Sequence, residues 1–218
     1  MPGNGEVLST LGRHRLVPVV VLDNANDAGP LAQALVDGGL PVAEVTFRTD
    51  AARDSIARMA ERGDILVGAG TVLTPEQVDL AVDAGAAFVV SPGLSRAVVE
   101  RCRERGVMAL PGAVTATEIM AALDMGLTTV KFFPARASGG VEAVKALSAP
   151  FLDVRFVPTG GIDADDCGEY LRLPSVIAVG GSWMVPRKAI ADGDFDRVRE
   201  LTLAAVASAA AATLLRTE

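Results

Sequence analysis

Histidine is almost missing from this sequence: His14 is the only one in 218 residues. A metal centre built on imidazoles is therefore excluded, and nothing resembles a zinc cluster. Cysteine is nearly as scarce. Cys102 and Cys167 are isolated thiols in helix-like stretches, which reads as reduced packing residues of a cytoplasmic protein rather than a disulfide. No Pro/Gly/Ser-rich linker divides the chain, so residues 1–218 are expected to form one domain with a substantial core. Positive charge is in the minority, and the net charge of −7 argues against a nucleic-acid surface. An anionic ligand would then depend on local donors. Long hydrophobic runs are missing as well. Met1 to Leu16 lacks the apolar core of a signal peptide. The Ala-rich run from Leu201 to Leu215 falls short of the ~20 residues needed to cross a bilayer. It reads as a terminal packing helix, so no membrane partner is expected.

Lysine is the most informative scarcity. Only Lys131, Lys145 and Lys188 occur, and arginine supplies nearly all the other positive charge. Lys131 lies within Thr128-Thr129-Val130-Lys131-Phe132-Phe133-Pro134. At the two-residue period of a strand, Thr129, Lys131 and Phe133 share one face, and Val130 and Phe132 the other. An arginine stays protonated in proteins, whereas a desolvated amine can lose its proton and attack a carbonyl. Lys131 is thus a candidate Schiff-base nucleophile. A lone lysine more often ends an exposed strand or snorkels to solvent, so its neighbours decide.

Glycine punctuates the chain. Gly39, Gly63, Gly85, Gly106 and Gly126 each follow an amphipathic stretch and precede an apolar run, at spacings of 24, 22, 21 and 20 residues. Those are helix C-cap positions in a βα repeat. Strands are expected near 17–22, 42–47, 65–69, 87–91, 107–111, 128–133, 154–158 and 176–180. Thr74-Pro75-Glu76-Gln77 and Thr115-Ala116-Thr117-Glu118 read as capping boxes that start helices, and Ala28 to Val36 has helical spacing. Eight short parallel strands in a chain of this length predict an α/β fold, a compact (β/α)8 barrel, preceded by a short N-terminal helical segment.

In such a barrel, functional groups gather at the C-terminal ends of the strands. Within Glu44-Val45-Thr46-Phe47-Arg48 the polar residues alternate with apolar ones. Glu44, Thr46 and Arg48 then face the barrel mouth, while Val45 and Phe47 pack outward. A structural ion pair is one reading of the charged members. Opposite Lys131 they form a more specific set: Arg48 as a two-pronged carboxylate donor and Glu44 as a proton carrier. Gly68-Ala69-Gly70-Thr71 adds a hydroxyl where the backbone can approach a ligand. Ser91-Pro92-Gly93 and Pro111-Gly112 taken singly are turn signals. Thr159-Gly160-Gly161-Ile162-Asp163 and Gly180-Gly181-Ser182 bring Gly-Gly pairs to the seventh and eighth strand ends, where barrels often hold phosphate. A phosphorylated ligand is expected there.

These motifs resemble the 2-keto-3-deoxy-6-phosphogluconate aldolases. The likeness rests on Glu44 to Thr49, Gly68 to Val72, Ser91-Pro92-Gly93, Val130 to Ala135, Pro158 to Ile162 and Gly180-Gly181-Ser182-Trp183, and it spans about Val17 to Pro186. The resemblance implies a class I aldolase on a (β/α)8 barrel, needing neither metal nor cofactor. It also implies an enzyme that is usually a homotrimer and acts in the Entner–Doudoroff pathway. Lys131 would be the Schiff-base lysine and Glu44 the general acid/base. Arg48 and Thr71 would hold the pyruvyl carboxylate, with Pro92 lining the site. Phe133 and Thr159 would set stereochemical preference, and Gly160, Gly161, Gly181 and Ser182 would take the phosphate. Members of this family commonly also cleave 4-hydroxy-2-oxoglutarate.

A sister family acting on the galactonate epimer typically lacks the residues that stand here as Arg48 and Thr159. Arg136 is a departure, because the family run usually continues there with an acidic residue. Three other functions remain open from the residues: an isomerase or epimerase, a phosphate-binding lyase without a covalent step, and a non-catalytic anion-binding barrel.

Overall fold

In the computed structural model, which describes residues 2–214, eight parallel strands alternate with helices. The strands are β1 Leu16–Val20, β2 Val42–Thr46, β3 Leu66–Gly70, β4 Phe88–Ser91, β5 Met108–Pro111, β6 Thr129–Phe132, β7 Arg155–Pro158 and β8 Val179–Gly181. The helices are α1 Asn4–His14, α2 Ala28–Asp37, α3 Ala52–Ala60, α4 Pro75–Asp83, α5 Arg96–Glu104, α6 Ala116–Asp124, α7 Gly140–Ser148, α8 Cys167–Leu171, α9 Arg187–Ala191 and α10 Phe195–Leu214. Met1 of the N-terminal segment and Leu215 of the C-terminal run lie outside the described residues. No helix among the described residues is long and apolar enough to cross a membrane.

The glycine punctuation has a direct structural basis. Gly39, Gly63, Gly85, Gly106 and Gly126 all have positive φ, between 66° and 92°, a region that glycine enters without the Cβ penalty. After Gly85 the Ala86 amide donates back to the Ala81 carbonyl at 2.9 Å, and after Gly106 the Val107 amide reaches Cys102 at 3.0 Å. These bonds close the helix end and turn the chain into the next strand. At the helix starts, Thr115 and Glu118 form a full capping box. Thr74 forms half of one: it accepts from the Gln77 amide, but the Gln77 side chain accepts from Leu73 N–H at 2.7 Å.

Six strands run in the order β5-β4-β3-β2-β1-β8, and β6 pairs with β7. Single bridges join the two sheets at both seams: Gly112 with Lys131 on one side, and Phe156 with Val176 and Thr159 with Gly180 on the other. The Ala113 amide donates to the Lys131 carbonyl at 2.9 Å across the first seam. The ring therefore closes, as the (β/α)8 reading expected. The eighth strand departs from the expected 176–180. The Val176 amide is taken by the Leu173 carbonyl at 3.1 Å, which leaves Val176 only a bridge to Phe156 and delays the ladder to Val179–Gly181. Gly180 and Gly181 consequently lie in the strand and not in the loop after it.

Packing around the ring uses glycine to make room. A Cβ on Gly68 would lie 2.2 Å from the Phe88 ring, whose side chain is fully buried beside it. Outside the ring, α10 begins earlier than the expected Leu201 and buries Val198, Thr202, Ala205, Ala209 and Ala212 on one face. Thr202 sits so near Gly38 that a Cβ there would be 2.6 Å from its methyl group. Cys102 and Cys167 are free and buried, and burial pushes the Cys102 thiol up to about 12.

Two measurements test this packing. Gly68→Ala is expected to lower the unfolding free energy by about 2 kcal/mol, because an overfilled interior must shift backbone or rotamer; an unchanged urea midpoint would contradict it. Native protein at pH 8 should leave Cys102 and Cys167 unlabelled by a disulfide reagent until denaturant is added, since nucleophilic attack requires a thiolate that burial disfavours. Rapid labelling of the folded protein would disprove that.

Candidate active site

The alternation read from the second strand places Glu44 and Thr46 inside the ring, and both side chains are buried. Thr46 Oγ1 donates to the Val20 carbonyl at 2.9 Å, tying β2 to β1. From β6, the strand opposite β2 in an eight-membered ring, Lys131 projects into the same interior. Its Nζ donates to Glu44 Oε1 at 3.1 Å, with side-chain exposures of 7% and 3%. The amine also lies 5.2 Å from the centre of the Phe133 ring, within range of a cation–π contact. Lys131 is therefore neither an exposed strand end nor a snorkelling side chain.

Glycine again makes room for a larger neighbour. A Cβ on Gly70 would fall 2.3 Å from Glu44 Oε1 and 2.7 Å from Cγ, so the carboxylate occupies space that β3 leaves empty. At Gly112 a Cβ would stand 2.0 Å from the Pro92 carbonyl oxygen, which lets the loop after β4 come in over the site. Thr71 follows β3 with φ of 58°, a strained value for a β-branched residue and of the kind that clusters at functional sites.

Above the pair opens a cavity of about 420 Å³, a size suited to a small metabolite. On one side it is bordered by Arg48, Thr71 and Pro92, from the loops after β2, β3 and β4. Glu44, Thr46, Lys131 and Phe133 form its inner wall. On the other side stand Thr159, Gly160 and Gly161 after β7, and Gly181 and Ser182 at the end of β8. The structure thus brings all eleven residues singled out in the sequence into one space.

Gly160 and Gly161 have φ of 101° and 77°, a turn that side chains would strain. Gly181 is sterically fixed too, since a Cβ would lie 1.8 Å from the Trp183 ring. Arg136 braces this side from outside the cavity. Its Nη2 donates to Asp163 at 3.0 Å and Asp166 at 2.8 Å, clamping the loop after β6 to the loop after β7. The bond from Arg136, with the Asp165 amide, holds the Asp163 carboxyl below its usual range.

Sequence reasoning missed the remaining lining: Val19, Val21, Ile162, Val185, Pro186 and Arg187. The two-residue alternation of Val19 and Val21 was available as a signal. Arg187 carried none, because it opens a five-residue helix with no periodic pattern.

The arrangement can bind a molecule with anionic groups, exclude water from a buried amine, and move a proton between that amine, a carboxylate and a ligand. Residues 7–201 match the sequence profile of KDPG and KHG aldolase. The chain is 50% identical over 197 residues to the 2-dehydro-3-deoxy-phosphogluconate aldolase of Treponema pallidum, covering 90% of this chain and 94% of that one. Among solved structures, the KDPG aldolase of Legionella pneumophila with pyruvate captured as a covalent carbinolamine superposes with a TM-score of 0.87 at 41% identity, covering 90% and 96%. The enzyme of Zymomonas mobilis with 3-phosphoglycerate gives 0.86 at 41% identity, covering 92% and 95%. A buried lysine–carboxylate pair under a metabolite-sized cavity and a match across nearly the whole chain agree: this chain belongs to the KDPG and KHG aldolase family.

Proposed function

We propose that this chain is a class I aldolase that cleaves 2-dehydro-3-deoxy-6-phosphogluconate to pyruvate and glyceraldehyde 3-phosphate, with Lys131 as the covalent nucleophile. The observation that carries the reading is the buried contact of Lys131 Nζ with Glu44 Oε1 at 3.1 Å, at the floor of the cavity. Glu44 takes a proton from Lys131, and the neutral amine adds to the C2 ketone. Glu44 returns its proton to the carbinolamine hydroxyl, which leaves as water and gives a protonated imine. Glu44, directly or through a water, then removes the proton of the C4 hydroxyl. The C3–C4 bond breaks, its electron pair moves toward the imine nitrogen, and glyceraldehyde 3-phosphate leaves. Protonation of the enamine at C3 and hydrolysis of the imine release pyruvate and free Lys131.

Arg48 and Thr71 hold the carboxylate of the keto acid in this reading, the guanidinium as a fork matched to two oxygens. Pro92 closes over that end. Phe133 and Thr159 meet the middle of the substrate and select its configuration, and Gly160, Gly161, Gly181 and Ser182 receive the phosphate. Arg48 and Thr159 favour the gluconate over the galactonate substrate. 4-Hydroxy-2-oxoglutarate fits the same chemistry as a shorter keto acid with the same C2 ketone. Leu73, Leu80, Met120 and Leu152 are large apolar residues exposed on the outside, which accords with burial in a homotrimer, and free buried thiols accord with the cytoplasm.

Borohydride reduction in the presence of pyruvate should fix a pyruvyl adduct on the Lys131 peptide. Lys131→Arg should lose turnover by about a thousandfold or more, as expected when a covalent nucleophile is removed. An adduct elsewhere, or a Lys131→Arg enzyme with ordinary turnover, would refute the assignment. Gly70→Ala tests the placement of Glu44 without changing its chemistry. Displacing a catalytic group by about 1 Å costs on the order of 100-fold, so kcat should fall by that order while pyruvate trapping persists; an unaltered kcat would show that Glu44 needs no such placement.

A further inference from the structure

Three cations border the cavity: Arg48, Lys131 and Arg187. The first two are used by the proposed reaction, and Arg187 is not. It follows Pro186 at the start of α9, on the β8 side of the ring. Its Nε donates to one oxygen of Asp23 at 2.8 Å and its Nη2 to the other at 2.6 Å. Asp23 stands in the loop after β1, and β1 pairs with β8 through Leu16 with Val179. The fork therefore spans two neighbouring loops at the rim. Both side chains are open to solvent, Arg187 at 63% and Asp23 at 53%. Water competes for such a pair, and exposed pairs of this kind contribute little to stability. Exchange of one anionic partner for another is correspondingly easy.

The substrate class named above carries an anion at each end, a carboxylate beside the ketone and a phosphate at the tail. Arg48 stands after β2 and Arg187 after β8, on the side where Gly160, Gly161, Gly181 and Ser182 line the wall. In a chain of net charge −7, no general positive field holds a phosphate, so a local cation adds to what backbone N–H groups supply. Guanidinium geometry matches phosphate as well as it matches carboxylate.

We propose that Arg187 is a binding residue for the phosphate tail of the substrate, and that Asp23 is the anion it leaves when the tail arrives. The inference rests on the aldolase reading and adds an exchangeable ion pair at the rim to the backbone cradle beneath it. Asp23 holds the guanidinium over the cavity in the free enzyme and competes with phosphate for it.

The test is steady-state kinetics on the phosphorylated substrate, with inorganic phosphate as a competing probe, for the wild-type chain, Arg187→Ala, Arg187→Lys and Asp23→Asn. Losing a charge-assisted contact at a screened position should raise KM by about tenfold in Arg187→Ala with little change in kcat, and weaken inhibition by phosphate in step. Arg187→Lys, which keeps the charge but not the fork, should fall between. Asp23→Asn should shift both quantities the other way, by about threefold, because a weaker competitor is left on the guanidinium. Unchanged KM and phosphate inhibition in Arg187→Ala would overturn the proposal, as would an Asp23→Asn enzyme whose KM rises like that of Arg187→Ala. Borohydride trapping of pyruvate by the wild type separates this result from failure of the aldolase reading: if the wild type traps pyruvate and KM does not respond to Arg187, only the phosphate assignment falls.

Discussion

A single contact, Lys131 to Glu44, depends on the whole ring. The two residues come from β6 and β2, half a barrel apart, so neither neighbouring strands nor a local turn can bring them together. They meet at 3.1 Å because the sheet closes at both seams and turns both side chains inward. Taking either charge out of water alone costs several kcal/mol, and the pairing offsets this only when the geometry is good. Such a pair is a poor device for stability. As a device for chemistry it has two uses: it keeps an amine dry, and it holds a base within reach of that amine.

The residues around the pair follow from the space it needs. Gly70 leaves the volume that Glu44 fills, and Gly68, one inward position earlier on β3, leaves the volume that Phe88 fills. An aromatic ring thus fills the space beside Gly68, and the space beside Gly70 is left to the carboxylate. Positive charge around the cavity is likewise divided among separate elements. The chain is acidic overall, and the positive groups that border the cavity stand at separate points of its wall, not in a patch. That arrangement suits a small doubly anionic molecule and offers little to a polyanion such as nucleic acid.

Much of this is legible in the sequence itself. The period-two alternation of Glu44 and Thr46 locates the inward face of β2, Arg48 lying beyond it in the turn that follows, and evenly spaced glycines locate the helix ends, because each rule reflects a local steric fact. Other features depend on distant partners. The start of β8 could not be read from the apolar run over 176–180, since it is set by the Val176 amide bonding back to Leu173. Gln77 looked like the second half of a capping box and instead accepts from Leu73. The positive φ of Thr71 leaves no mark in a Gly-Thr-Val sequence. The place of Arg187 at the rim is silent in the sequence because its partner Asp23 stands in the loop after β1, more than 160 residues away in the chain.

The most direct test is a crystal structure of the wild-type protein soaked with pyruvate. The account predicts continuous density from Lys131 Nζ to C2 of the keto acid, its carboxylate at Arg48 and Thr71, and Glu44 within hydrogen-bond distance of the new bond. Pyruvate bound in the cavity with Lys131 Nζ unmodified and turned away from C2 would contradict it.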